Sequence, residues 1–341
     1  MSFLCLYIMK QISIIFAFLF SFSFVNAQQD PKVLQQHAKE YMRQGDYENA
    51  TLLLVKALDI SPSDIDIAKD LALNYYFEKE NKKALEVIKP LLDNPDVDDQ
   101  TYQVAGNIYK ALNQNKEGEA LYKKGVKKFP KSGSLYNEYG ELLSSMQNAT
   151  AINQWEKGIE MDPTYSGNYY NAAKYYYFTT DRIWSIIYAE IFINIEPLSA
   201  RTTEVKSVLL DSYKKLFSED KLKDLDKKNN FEQAFFRSMN TAFDTAIHSI
   251  NAEILTMIRT RFILDWFEKN TAKLTYRLFD YQQQLIREGI FPAYNQWIFG
   301  ATQNLTAYQN WITSNAAEYI EFSNFQKGRI FKMPPNQYYH K

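Results

Sequence analysis

The chain has 341 residues and a formal net charge of −1, with both signs interspersed and no basic stripe to neutralise phosphates, which excludes nucleic acid as a partner. Its single cysteine is Cys5, inside a segment expected to be removed, so disulfides, thiolate metal sites and cysteine nucleophiles are excluded from the remainder. Few glycines (11) and prolines (10) set against 25 Tyr and 23 Phe describe a chain able to bury a large core while keeping polar rims.

Residues 1–27 have the layout of a secretory signal peptide. Lys10 supplies a positive charge, residues 11–25 are mainly apolar, and Val25-Asn26-Ala27 sets small residues before a cut. The apolar run falls short of the roughly 20 residues a membrane-spanning helix needs, and no basic stop-transfer flank follows. No transmembrane span is therefore expected in the mature chain, whose net charge falls to about −2 once Lys10 is lost. Initiation at Met9 would leave a more compact version of the same segment. Cys5 precedes the apolar run rather than ending it, which argues against a lipoprotein anchor. An exported protein is expected, periplasmic in the first place, with secretion or surface display as alternatives.

From residue 31 the chain repeats. Pro62, Pro130, Pro163 and Pro197 close segments of about 34 residues, the period of a helix–turn–helix solenoid. In the first unit Ala38 and Tyr41 lie one turn apart on a first helix, Gly45 ends it, and Ala50, Leu54 and Ala57 line a second helix. Two helices cross closely only where a small residue faces the partner, with Tyr41 and Leu54 filling the space beside the crossing and Gly45 taking a left-handed turn. The later units carry Ala72, Tyr75, Ala84 and Ile88; Tyr102, Gly106, Tyr109, Tyr122 and Gly125; Tyr136, Gly140, Leu143, Ala151, Trp155 and Gly158; and Tyr169, Ala173, Tyr176 and Ala189. Gly118 and Ser185 stand where alanine is expected, and the turn of the fourth unit is one residue short.

This spacing resembles the tetratricopeptide repeat. The resemblance implies an all-α, right-handed superhelical solenoid of five units near residues 31–64, 65–98, 99–132, 133–165 and 166–198. It further implies that the first helix of each unit lines a concave groove that takes a protein or peptide partner. The positions so assigned are Lys39, Arg43, Lys69, Tyr76, Phe77, Asn107, Lys110, Asn137, Tyr170, Lys174, Tyr177 and Phe178, a mixture of aromatic, amide and basic groups suited to a peptide or, alternatively, a glycan. The Lys/Asn set with which some family members grip a terminal carboxylate is not reproduced, because Leu73 follows Lys69 by one turn.

The second helix of the fifth unit is apolar on every side, from Ile183 to Ile193, so a following helix over residues 202–217 and the C-terminal region are expected to cover it. Residues 199–230 read as that capping helix and a charged linker. Residues 231–331 read as about four further helices, with stripes at Ile254, Ile258, Phe262 and Trp266; Leu274, Leu278, Tyr281 and Leu285; and Leu305, Tyr308, Ile312, Tyr319 and Phe322. Residues 332–341 read as an extended, loose tail.

Chemistry finds little to stand on. His37, His248 and His340 lie in separate regions, against a His-based metal site or a Ser/His/Asp triad. No glycine-rich phosphate loop occurs and no cofactor is expected. A hydrolase site around Arg259, Asp265, Arg277, Asp280 and Tyr281 is the remaining catalytic alternative, although Arg261–Asp265 and Arg277–Tyr281 have the spacing of ordinary helix-surface pairs. A non-catalytic scaffold of the cell envelope is the leading expectation.

Overall fold

The structure, a computed structural model, describes residues 30–218, 228–241 and 250–340. The expected signal peptide, residues 219–227 of the charged linker and His248 lie outside them. The described residues are all-helical and fall into two compact units, residues 1–121 and 122–341.

In the first unit, α1 (Pro31–Gln44) pairs with α2 (Tyr47–Ile60), and α3 (Ile65–Phe77) pairs with α4 (Asn81–Ile88), which runs into a 3-10 turn at Lys89–Asp93. Then comes α5 (Asp99–Ala111), packed on α4. Helix α6 (Asn115–Lys128) spans the division. In the second unit α7 (Gly133–Ser145) pairs with α8 (Ala151–Met161), and α9 (Ser166–Tyr177) with α10 (Arg182–Ile195).

The 34-residue period is written into the helix ends. Asp30, Asp64, Asp98 and Ser132 each cap a first helix, their side chains accepting from the backbone of the first turn. Each first helix then closes with a left-handed residue at Gly45, Lys79, Asn113 and Gln147, φ between 56° and 79°. The following N–H reaches back five residues, from Asp46 to Tyr41, Glu80 to Tyr75, Gln114 to Tyr109 and Asn148 to Leu143, at 2.9–3.0 Å. Only one of these four turns uses glycine.

The short turn of the fourth unit is visible in hydrogen bonding. Ala50, Ala84 and Gly118 each bond four residues back, to Asp46, Glu80 and Gln114, whereas Ala151 N bonds three back, to Asn148 O at 3.1 Å. The missing residue is absorbed in the first turn of α8.

Small residues sit at the crossings. Ala38, Ala50, Ala57, Ala72, Ala84 and Ala173 are fully buried, with Leu54, Ile67 and Leu71 filling the first core. Ser185 serves in place of alanine because its hydroxyl is satisfied, donating to Ala173 O at 3.1 Å and meeting Ser212 Oγ at 2.8 Å. Tyr41 departs from expectation. It is 36% exposed and Tyr75 is half-buried, while Tyr109, Leu143 and Tyr176 at the same register are buried.

The apolar helix α10 is covered as its sequence requires, with every residue from Ile183 to Asn194 buried. Its cover is α11 (Ala200–Ser218), packed along it, and C-terminal helices α12 (Asn230–Asn240), α13 (Ala252–Lys269) and α14 (Arg277–Arg287). Next is an irregular helix α15, Phe291–Asn295 continuing through a π-turn Gln296–Gly300 to Ala301–Gln303. Leu274 falls in the turn before α14 rather than on it. The third predicted stripe is two helices, α16 (Leu305–Ser314) and α17 (Ala316–Gln326), and only Phe322 of that stripe is buried. The tail is not loose. Phe331 and Met333 are buried and residues 337–340 are half-buried, without regular structure.

At Gly140 of α7, a Cβ would lie 2.3 Å from the indole Nε1 of Trp155 on α8, whose N–H donates to Asn137 O at 3.3 Å. Gly140→Ala is expected to displace that indole and lower stability by about 1–3 kcal/mol, read from the midpoint of chemical unfolding. An unchanged midpoint would mean that the crossing tolerates a methyl.

Candidate binding surfaces

The first-helix positions predicted to face a partner divide into two populations. In the first unit the polar members are engaged from one repeat to the next. Lys32 pairs with Asp64 at 2.7 Å, and Gln35 and Lys39 both reach Asp70, Lys39 at 3.0 Å. Lys69 is only 8% exposed, held between Asp66 at 3.2 Å and Asp98 at 2.6 Å. Burial raises the Asp98 carboxyl, but hydrogen bonds from Lys69 and Thr101 outweigh it and keep the group below its ordinary range. Arg43 is exposed, and Asn107 and Lys110 are half-buried. Tyr76 is half-buried against Phe77, ring centroids 5.8 Å apart, and Phe77 remains 43% exposed.

The second unit repeats the division. Asn137 is buried, donating to Glu141 at 3.0 Å and accepting from Asn171 at 2.9 Å. Tyr170 and Lys174 both bond Glu204 on α11 at 2.6 Å, and those bonds draw the Glu204 carboxyl below its ordinary value. Lys215 Nζ lies 3.5 Å from the centre of the Tyr177 ring. Phe178, edge-on to Tyr177, is 81% exposed. Lys39, Lys69, Asn137 and Lys174 thus bond to a following helix or its cap, while Arg43, Phe77 and Phe178 are exposed.

Sequence reasoning missed a buried ionic cluster. Glu190 on α10 and Arg259 on α13 are each 1% exposed and form an ion pair. The same Glu190 Oε1 accepts from Gln282 at 2.6 Å and Tyr294 OH at 2.8 Å, and Asn194 donates to the Tyr294 hydroxyl at 2.7 Å. Asn295 accepts from the guanidinium, the rings of Phe291, Tyr294 and Phe299 surround the guanidinium at 5.3–5.5 Å, and Arg259 Nε finds no acceptor among the described residues. Glu190 and Asn194, four apart in an otherwise apolar helix, were the available clue. The residues named for a hydrolase site have these surroundings. Arg259 is committed to Glu190, Asp265 pairs with Lys269, Asp280 is exposed, and Arg277 packs over the Tyr281 and Phe331 rings. Arg259→Met should cost about 3–5 kcal/mol in chemical unfolding by stranding Glu190, and adding Glu190→Gln should recover much of the loss. A cost below about 1 kcal/mol for the single change would show that the pair does not hold α13 to α10.

A second buried carboxylate lies on the second-helix side. Glu156 of α8 is buried, accepts from Tyr188 OH at 3.0 Å, and stands 3.5 Å from Nδ1 of His340. His340 Nε2 meets Tyr176 OH at 3.0 Å, and its ring is edge-on to Trp184 at 4.8 Å. Burial raises the Glu156 pKa above its ordinary 4.5, with His340 and the tyrosine hydroxyls pulling the other way. A raised carboxyl contributes stability that is complete below 4.5 and is lost as pH rises through the folded value. Glu156→Gln is therefore expected to gain on the wild type progressively as pH rises from 4.5 towards neutrality in parallel unfolding titrations. Parallel curves across that window would contradict the assignment.

No protein-family model matches the chain, and no curated protein matches it. Among solved structures it is similar to a thermophilic TPR protein of Thermus thermophilus, at 16% identity over 53% of this chain and 99% of that one, TM-score 0.45. It is also similar to MamA of Desulfovibrio magneticus, at 14% identity over 50% and 97% of the two chains, TM-score 0.40. A third is YrrB, described as a TPR protein with an unusual peptide-binding site, at 18% identity over 55% and 97%, TM-score 0.38.

Proposed function

We propose that this chain is an exported, non-catalytic binding scaffold whose tetratricopeptide-like repeats, five over residues 31–198, recognise a protein or peptide of the cell envelope. One observation carries the reading. On first-helix faces several of whose polar groups are already bonded repeat to repeat, Phe77 and Phe178 are left 43% and 81% exposed, and burying such rings is what a partner supplies. Export is supported by the pattern of residues 1–27, and no helix among the described residues is long and apolar enough to cross a membrane. Lys39, Lys69, Asn137 and Lys174 are already bonded to neighbouring helices, which leaves the rings as the groups a partner would cover. A glycan partner has no observation of its own in its favour.

Phe77→Ala with Phe178→Ala should leave stability nearly unchanged and weaken capture of the native envelope partner at least tenfold, a loss of about 1.4 kcal/mol or more. Undiminished capture by a folded double variant would sink this reading.

A further inference from the structure

Residues 332–340 behave in this structure as a bound peptide rather than as a structural element. Among the described residues a single hydrogen bond reaches their backbone, from Asn229 Nδ2 to Tyr339 O at 2.9 Å. Everything else is side-chain insertion. Met333 is buried, and Gln337 accepts from Arg277 N at 2.6 Å. Tyr339 stacks on Phe231, centroids 4.8 Å apart and planes 10° from parallel, with its hydroxyl donating to Thr275 O at 2.9 Å. His340 occupies the corner made by Tyr176, Trp184 and the buried Glu156.

The receiving wall is contributed by the second helices α8 and α10, the end of α9, and the start of α12. A cleft persists beneath the segment, lined by Ile159, Tyr169, Trp184, Tyr188 and Tyr276. Three features of this wall have the character of a recognition site. A planar slot takes one ring, a polar corner with a buried carboxylate takes an imidazole, and an apolar pocket takes a thioether. A segment with so little backbone pairing is held mainly through its side chains, so a competing chain with the same side chains meets the same pockets and the same hydrogen-bond partners.

We propose that this second-helix cleft is a peptide-binding site for an extended partner segment presenting an aromatic ring followed by an imidazole, and that residues 332–340 fill it in cis. The proposal rests on the reading of the chain as a binding scaffold and places a second contact away from the first-helix rings. The segment then acts as an internal competitor. A partner enters only by displacing it, and the cleft gains affinity when the segment is weakened.

The test uses the full chain carrying Tyr339→Ala and His340→Ala, and a fluorescently labelled synthetic peptide with the sequence of residues 332–340. The peptide should bind the double variant at least tenfold more tightly than the wild type, in which the cleft is occupied. The same peptide with its own Tyr339 and His340 positions changed to Ala should lose at least tenfold on the double variant. Equal affinity for wild type and variant, absence of binding to the variant, or loss of helical structure in the variant would each overturn the proposal. The last outcome would make the segment part of the fold. Adding Phe77→Ala and Phe178→Ala to the Tyr339→Ala, His340→Ala variant should leave its affinity for the peptide unchanged, so this site and the first-helix reading fail independently.

Discussion

The approach of paired helices at small side chains is the constraint from which the rest follows. Where Gly140 faces Trp155 there is no room for a methyl, and where Ala38, Ala50 and Ala57 meet the next helix the contact is solvent-free. Such closeness fixes the axial register of each hairpin. Register in turn sets acid caps at Asp30, Asp64 and Asp98 at equal intervals, and sets Lys69 opposite Asp98 and Lys174 opposite Glu204. The ion pairs are a product of the packing, and a solvent-facing one such as Lys174–Glu204 contributes little by itself.

At the far end the logic changes from repetition to enclosure. Helix α10 is apolar apart from a few buried polar side chains, so later helices must close over it, and the closure pairs its Glu190 with Arg259. A buried pair of this kind adds little net stability compared with an apolar substitute, yet it penalises every arrangement in which either partner lacks the other. The pair therefore specifies how α13, α14 and α15 dock. It also explains why residues 122–341 form one compact unit in which repeats and C-terminal helices are not separable.

Much of the fold was legible because repetition samples the same physics several times. Ala38, Ala72 and Ala173 announce crossings, prolines announce ends, and the early arrival of Ala151 announced a shortened turn. What stayed hidden depended on partners distant in sequence. The left-handed residues Lys79, Asn113 and Gln147 carry no glycine to mark them. Tyr41 matches its counterparts in type but stays 36% exposed. The state of the candidate surface was not legible either, since nothing in Lys69 or Asn137 alone says that an adjacent repeat will claim them. His340 looked incidental because its contacts, Glu156 and Tyr176, lie in repeats far back along the chain.

The largely apolar character of α10 has a kinetic corollary. During synthesis, residues 183–194 appear well before their cover, for the groups that donate to Glu190 arrive only with Arg259, Gln282 and Tyr294. In that interval a stretch of Ile, Trp and Phe is open to water and prone to association with other chains. A nascent molecule of this protein is therefore most vulnerable midway through its own production, and holdase chaperones would find their principal foothold on that one helix.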